Sequence, residues 1–489
     1  MTHSLLYAPG RVPEAAPRAD ESILTALSLD RALTIILPDV GERRYVSALL
    51  AAPLSDAGDI TYRQAVMRNF LDHPAMLPAW QTLFGRLLEL RRAYEEDRRQ
   101  RISATARARE AALFGEAKSR LQMAALTLKR LLLLIGEMHE RLSGYPVSAE
   151  GLRTVTARLA DLARAEATAE LIERCGMLTD LSSFASYRFA LAIDADGRIT
   201  GRTYLDRADK PTQAAEPPRR RFFAPRKTEE TAPRKVTIDA AFPALRRQLI
   251  GQGLTEAALT LERICSALFA ELCPLARELI FYAAGVRFAA CFAERGLPTA
   301  LPVIADDGTI SGTGLYDPFL AATMLGGGAI IPNDFTMPGD TPGVLVTGAN
   351  NSGKTVFLRS VGSAILLGQA GFPVCAASTV ITPVRTVTSV FAAAEKADGV
   401  GSEAGRFEEE VRLLSDAVDR AAPGELILLN EPFQTTAYGE GAEGLAAILR
   451  YLQARGTRWV LVTHLDALPP LVGGALRMVS REDHRVVAI

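Results

Sequence analysis

The sequence predicts a multidomain protein of α and α/β class: a helical first part with long helices, then an α/β domain with a mixed, largely parallel sheet. Three observations predict it. A glycine-rich loop stands between an apolar strand and a helix-compatible segment in residues 343–362. No proline falls between Pro78 and Pro146, where leucines recur at roughly helical spacing. Two further apolar runs, Leu426–Leu429 and Trp459–Val462, read as short buried strands.

The glycine-rich loop comes first. Val344, Leu345 and Val346 suit a strand buried on both faces. Gly348, Ala349, Asn350, Asn351, Ser352, Gly353, Lys354 and Thr355 then fill the pattern G-x-x-x-x-G-K-[ST]. Val356, Leu358 and Val361 form the inner face of the following helix. Glycines let the backbone amides turn inward around an anion, and the helix N-terminus adds partial positive charge. The pattern therefore predicts a phosphate site in which Lys354 reaches the outer phosphates and the Thr355 hydroxyl binds magnesium. A chance glycine turn is the alternative, and the flanking strand and helix weigh against it.

The other two strands supply the rest of a reaction site. Leu426–Leu429 ends in Asn430 and Glu431, where phosphate-loop ATPases place an aspartate for magnesium and then a glutamate that polarises water. The Asn430 amide oxygen still accepts from a water of the magnesium shell but brings no negative charge, so weaker metal binding and slower hydrolysis are expected. Glu431 is the expected general base. Trp459–Val462 runs into Thr463 and His464, and a neutral histidine there can hydrogen-bond a γ-phosphate. Alone, a histidine after a strand is more often structural; as third member of this set it reads as functional.

The length of 489 residues suggests two or three domains. With a net charge of −1, the molecule as a whole does not advertise nucleic-acid binding, so any basic surface must be local. Cys175, Cys265, Cys273, Cys291 and Cys375 are scattered without a C-x-x-C pair, which argues against a disulfide framework or zinc site and fits a reducing cytoplasm. The first residues lack a signal peptide's pattern, and Leu131–Ile135 is too short to span a bilayer. A cytoplasmic protein without membrane contact is expected.

Residues 1–20 read as a flexible tail and 21–295 as a helical region. Helices over Glu21–Met76 are interrupted at Pro38, Pro53 and Pro74, and Ser55 or Asp56 caps the helix carrying Tyr62 and Arg63. Between Pro78 and Pro146 we expect two long helices or one kinked helix, with Gly115 or Gly136 as the break. Arg86, Arg91, Arg92, Arg98, Arg99, Arg101, Arg107 and Arg109 form either a solvated face balanced by Glu95, Glu96 and Asp97 or a phosphate-contacting one. A small β insert occupies about 185–208, with Asp196-Gly197 at its turn. A basic linker at about 209–235 includes Arg219, Arg220, Arg221, Phe222, Phe223, Arg226 and Lys227; it is disordered or touches nucleic acid. Helix resumes over Ile238–Phe292, and 296–489 is the α/β domain.

The order IPNDFTM from Ile331, TGANNSGKT, QAGFPVCA from Gln369, GRFEEEV from Gly405, LLNEP and VTHL resembles the ATPase domain of the MutS family of mismatch-repair proteins. Upstream, PLSDAGDITYRQAV is similar to the start of that family's helical core, and the long helical regions to its levers. The resemblance spans roughly residues 20–489 and is strongest after 330. It implies an ABC-type phosphate-loop ATPase using ATP and Mg2+, working as a homodimer on DNA. It implies that Pro332 and Asn333 line the adenine pocket, Thr355 and Asn430 hold magnesium, Glu431 activates water and His464 acts as the switch histidine. A signature segment, Ser402 to Phe407, would close the partner's site; here Gly405 stands where that family carries a serine, with Ser402 nearby. Asn430 likewise replaces an aspartate. No mismatch-reading domain is expected ahead of the core, nor a nuclease-like domain after residue 489. A nucleotide-gated clamp with little hydrolysis, and an ABC-type ATPase acting on a protein partner without DNA, are the competing expectations.

Overall fold

The computed structural model describes residues 3–11, 21–105, 110–179, 187–193, 199–207, 243–324, 329–391, 403–433 and 438–489. The linker expected at 209–235, with its Arg219–Lys227 cluster, lies outside these residues, as do the Asp196-Gly197 turn, Arg107, Arg109 and Ser402. The chain forms two compact units: Met1–Phe84 with Arg141–Ala157 and Leu272–Ile489, and Gly85–Glu140 with Arg158–Glu271.

In the first unit the prolines punctuate as expected. Helices α1 (Ser22–Ala26), α2 (Leu29–Ile36), α3 (Val40–Leu50) and α4 (Ala57–Asp72) are separated at Pro38 and Pro53, and Pro74 follows α4. Asp56 is the cap of α4: its carboxylate accepts from the Asp59 amide. The start of α5 (Met76–Thr105), parts of α6 (Glu110–Leu142) and α7 (Glu150–Arg164), and the end of α9 (Pro243–Ala293) complete the helical part. Phe70, Trp80, Phe84, Phe281, Tyr282, Phe288 and Phe292 are buried there. Phe372, from the α/β part, packs against both Phe281 and Phe288. These helices thus share one core with the residues that follow 296.

The flexible tail expected over 1–20 is not loose throughout. Leu5 and Leu6 are 0% and 2% exposed, because two consecutive leucines withdraw more apolar surface from water than a free segment would.

The α/β part holds two sheets. Strands β3 (Val303–Ile304), β4 (Ile310–Leu315), β5 (Asn333–Met337) and β7 (Ser378–Ile381) form a four-stranded sheet in the order β3-β7-β4-β5. Between β4 and β5 lies the short α10 (Pro318–Thr323). Strands β6 (Gly343–Gly348), β8 (Thr386–Phe391), β9 (Glu425–Asn430), β10 (Arg458–Val462), β11 (Leu476–Ser480) and β12 (Val486–Ala488) form the larger sheet. Its order is β12-β11-β6-β10-β9-β8, parallel except for the β11–β12 pair. The sheet is therefore mixed and largely parallel.

Alternation along the parallel strands divides the larger sheet's core. Ile427, Leu429, Trp459 and Leu461 pack in one cluster with α12 (Glu403–Arg420) and α13 (Tyr438–Ala454), while Leu428 meets α11 (Lys354–Gln369) at Gly362. Gly368 of α11 lies against Ile381 of the smaller sheet. Both glycines are approached too closely for a Cβ, so α11 is held between the two sheets.

The second unit contains most of α5 and α6, the end of α7, α8 (Glu166–Thr179), the antiparallel pair β1 (Tyr187–Ile193) and β2 (Ile199–Arg207), and the first part of α9. Ala117, Leu121, Leu254 and Ala258 form a core there. Arg120 pairs both carboxylate oxygens of Glu262, and Arg158 those of Glu271. Helix is described on both sides of residues 106–109, in α5 and α6, and neither Gly115 nor Gly136 is a break. Both lie inside α6, where a glycine costs only about 1 kcal/mol, less than is gained by burying Leu121, Leu128, Leu131 and Ile135. No described helix is long and apolar enough to cross a membrane.

Two measurements check this packing. Gly343 faces Trp459 across the parallel pair, and a Cβ at 343 would fall onto the indole ring. Gly343→Ala should lower unfolding stability by about 2 kcal/mol; an unchanged urea midpoint would contradict that approach. Asp317, 2% exposed, caps α10 by accepting from the Leu320 amide, and burial raises its pKa above the ordinary carboxylate value. A raised folded-state pKa contributes stability below the unfolded value that is lost as pH rises through the folded one. Asp317→Asn keeps a cap acceptor and has no charge to desolvate. Its melting temperature should therefore gain on the wild type as pH rises above the ordinary carboxylate range, and a difference independent of pH would contradict this.

Candidate functional site

The site is assembled at the carboxyl ends of three neighbouring parallel strands, β6, β10 and β9, the edge where open α/β sheets place their ligands. Beyond Gly348 the chain turns tightly, with Asn351 at φ 63° and Gly353 at φ 95°, and enters α11 at Lys354. Neither glycine of the pattern is replaceable at no cost. A Cβ on Gly348 would collide with the Ser480 carbonyl oxygen, and Gly353 sits where L side chains are strained. Ser480, paired with Gly348 across the β6–β11 ladder, also donates from Oγ to Ser352 O at 2.8 Å. The last residue of β11 thus braces the loop.

Lys354 is only 3% exposed. Its Nζ donates to Gly348 O (3.0 Å) and Ala349 O (2.9 Å), and lies 3.1 Å from Glu431 Oε1. Thr355 Oγ1 donates to Asn430 Oδ1 at 2.9 Å. Parallel pairing of β9 with β10 sets Asn430 beside Val462, and the Glu431 amide donates to Val462 O at 2.9 Å. Glu431 then leaves the strand at φ 48°, a left-handed conformation uncommon for a non-glycine residue and often found at functional sites. His464 Nδ1 stands 3.6 Å from Glu431 Oε2. Lys354, Thr355, Asn430, Glu431 and His464, drawn from three separate stretches of sequence, are therefore brought together.

The remaining residues singled out in the sequence divide. Pro332 precedes β5, and Asn333 begins it. Asn333 Nδ2 donates to His484 O (3.1 Å) and its Oδ1 accepts from the Val486 amide (2.7 Å), tying β5 to the β11–β12 turn. The His484 ring lies against the loop: a Cβ on Gly353 would be 3.4 Å from its Nδ1. Gly405 and Phe407 fall within α12, while Ser402 lies outside the described residues, so the expected signature segment is not placed relative to the loop. Sequence reading missed Ser480 and His484. No local pattern could flag them, because their importance comes from β11 pairing with β6.

A phosphate group fits this arrangement. The buried Ser352 Oγ, in the turn between Gly348 and Gly353, has no hydrogen-bond partner among the described residues, and the Lys354 ammonium stands at the same loop. Magnesium also fits: a hydroxyl, an amide oxygen and a carboxylate are hard oxygen donors, too few to enclose the ion without water and phosphate oxygens. Among the described residues there is no cluster of three or more His, Cys, Asp or Glu that holds a metal by itself.

Fold and site together define a phosphate-loop domain on a largely parallel sheet. The family profile for MutS domain V matches residues 344–482. The chain is similar to the Endonuclease MutS2 of Anaeromyxobacter sp. (strain Fw109-5), 32% identical over 148 residues, covering 30% of this chain and 18% of that protein. It is similar to the DNA mismatch repair protein MutS of Granulibacter bethesdensis, 28% identical over 174 residues, covering 35% and 18%. A third match is the DNA mismatch repair protein MutS of Lactobacillus delbrueckii subsp. bulgaricus, 31% identical over 153 residues, covering 31% and 18%. The likeness to the MutS family is thus shown for residues 344–482, the stretch that matches domain V. The matches span 18% of the length of each of these three relatives.

Asn333→Ala removes the acceptor of the Val486 amide. One lost hydrogen bond of about 1 kcal/mol should speed exchange of that amide several-fold while the β6 amides stay protected. Unchanged exchange at Val486 would show that Asn333 does not hold the turn.

Proposed function

We propose that this chain is a MutS-like protein that binds and hydrolyses ATP, acts as a homodimer on DNA in repair or recombination, and uses its nucleotide state to move helical arms. The single observation that carries this reading is the contact of Lys354 with Glu431 beside the Thr355–Asn430 pair at the mouth of the phosphate loop.

Each residue then has a role. The amides of Gly348–Thr355 and the Lys354 ammonium cradle the β- and γ-phosphates. Glu431 accepts the proton of the attacking water, and His464, next to it, hydrogen-bonds the γ-phosphate. When bound through Thr355 and Asn430, magnesium neutralises phosphate charge and fixes the orientation of the phosphate oxygens. Pro332 and Asn333 border the adenine side, with His484 on the same flank of the loop. Ser402, Gly405 and Phe407 reach across a dimer toward the partner's γ-phosphate. The arrangement is that of an ABC-type ATPase, with residues 21–295 as core and levers, 296–489 as the ATPase region, and a cytoplasmic setting. For DNA contact, Arg86 and Arg91 are engaged by Glu137 and Glu95, so Arg92, Arg98 and Arg99, which are exposed, are the phosphate-binding candidates of α5.

Asn430 favours a second reading, a nucleotide-gated clamp with little turnover. Its oxygen accepts the Thr355 hydroxyl as a carboxylate would, without the charge that holds a divalent cation.

Binding of a fluorescent ATP analogue and steady-state phosphate release distinguish these readings. Lys354→Ala should weaken analogue binding by about 100-fold, the scale of losing a charge-assisted contact. Glu431→Gln should retain binding and lose at least about 100-fold in turnover. Asn430→Asp should raise turnover and lower the magnesium concentration needed for half-maximal rate. Equal analogue affinity in wild type and Lys354→Ala would defeat the proposal, and robust wild-type hydrolysis would remove the clamp reading. DNA binding that weakens as salt rises is expected; none at low salt would remove DNA from the function.

A further inference from the structure

Residues Ser4–Tyr7 lie between α4 and α9, and side chains of those two helices read their backbone. The Leu5 amide donates to Glu278 Oε2 at 2.5 Å, and the Ser4 hydroxyl donates to Oε1 of the same carboxylate at 2.8 Å. The Tyr62 hydroxyl donates to Ser4 O at 2.7 Å, the Tyr282 hydroxyl to Leu5 O, and Arg63 Nε to Leu6 O at 3.3 Å. Four side chains are thus committed to the main chain of one short bent segment, whose two leucines are buried. Helix backbones bond internally and have no such groups to offer, so a segment seated on helices depends on side chains of this kind.

Arg63 carries the connection further. Its guanidinium, in a side chain 1% exposed, also donates from Nη1 to Ala370 O at 3.0 Å. Ala370 is the C-terminal cap residue of α11, the helix that begins at Lys354. Gly371, at φ 74°, leaves room only for the Arg63 side chain, since a Cβ there would be 3.0–3.1 Å from three Arg63 carbons. Just before Ala370, Gln369 Nε2 donates to Leu54 O and Val384 O, each at 2.8 Å. The end of α11 remote from the phosphate loop is therefore anchored to Leu54, ahead of α4, and to Arg63 within it. A buried guanidinium with few acceptors is costly to leave short of one, so its bonds to Leu6 O and to Ala370 O support each other.

We propose that Ser4–Tyr7 is a detachable strap which, through Arg63, sets the far end of the phosphate-loop helix, so that strap seating and nucleotide binding strengthen each other. This rests on the nucleotide reading given above. Linkage makes the effect reciprocal: a seated strap raises nucleotide affinity by the factor by which nucleotide favours the seated strap. Arg63 and Gln369 are positioning residues here and touch no nucleotide.

The test uses the full chain carrying Leu5→Asp and Leu6→Asp together, which places two carboxylates in the apolar groove. A fluorescent ATP analogue should bind this variant about fivefold more weakly than wild type. A synthetic peptide of residues 3–11 should restore affinity saturably, whereas a scrambled peptide should not. In wild type, the analogue should slow hydrogen exchange at the Leu5 amide. Should the double variant fail to fold, Tyr282→Phe removes only the hydroxyl bond to Leu5 O. It should speed exchange of the strap amides and weaken analogue binding about twofold. Analogue affinity unchanged in a folded variant, or unaffected by the peptide, overturns the strap. Wild-type protein that binds no analogue overturns the nucleotide reading itself, so the two failures are distinguishable.

Discussion

A buried ammonium needs partners, and the larger sheet is arranged to supply them. Lys354 is almost wholly removed from water, and an unpaired charge there would be prohibitive. Its partners come from two directions: the carbonyls of Gly348 and Ala349 at the end of β6, and the Glu431 carboxylate just past β9. Strand β10 lies between those two, so register across all three decides whether the ammonium is satisfied. A one-residue slip would turn Leu345, Leu428 and Leu461 to the wrong faces and carry Glu431 away from the lysine. Folding of the core and assembly of the site are thus the same event on this sheet.

The helix that starts at Lys354 extends this constraint. Because α11 lies between the two sheets, Gly362 and Gly368 admit Leu428 and Ile381 at distances a Cβ would forbid. Its loop end is braced by Ser480 and its far end by Gln369 and Arg63. A displacement at one end is therefore resisted at the other, the condition for a rigid element to carry information between sites. The left-handed backbone at Asn351 and Glu431 concentrates strain at the loop mouth, where both residues stand next to the Lys354 ammonium or its loop.

Much of this was legible because it is local in sequence. The phosphate-loop pattern, the strands ending at Asn430 and Val462, the cap at Asp56 and the interruptions at Pro38 and Pro53 each depend on a few neighbouring residues. What escaped depends on pairing between distant ones. Ser480 and His484 look like ordinary turn and strand residues until β11 is laid beside β6. The glycines of α6 read as breaks because propensity was visible and the buried leucines' packing partners were not. The segment around Leu5 read as loose because its composition is tail-like, while the carboxylate, hydroxyls and guanidinium that hold it lie some 57 to 277 residues away along the chain. The arginines of α5 divide in the same way, since the Glu137 that engages Arg86 belongs to a different helix.

The most direct measurement is a crystal structure of the protein with a non-hydrolysable ATP analogue and magnesium. The expected density places the terminal phosphorus between Lys354 Nζ and the Glu431 carboxylate, with the metal next to Thr355 and Asn430. A nucleotide bound elsewhere, or a phosphate loop left empty while Lys354 keeps its contact with Glu431, would contradict the central claim.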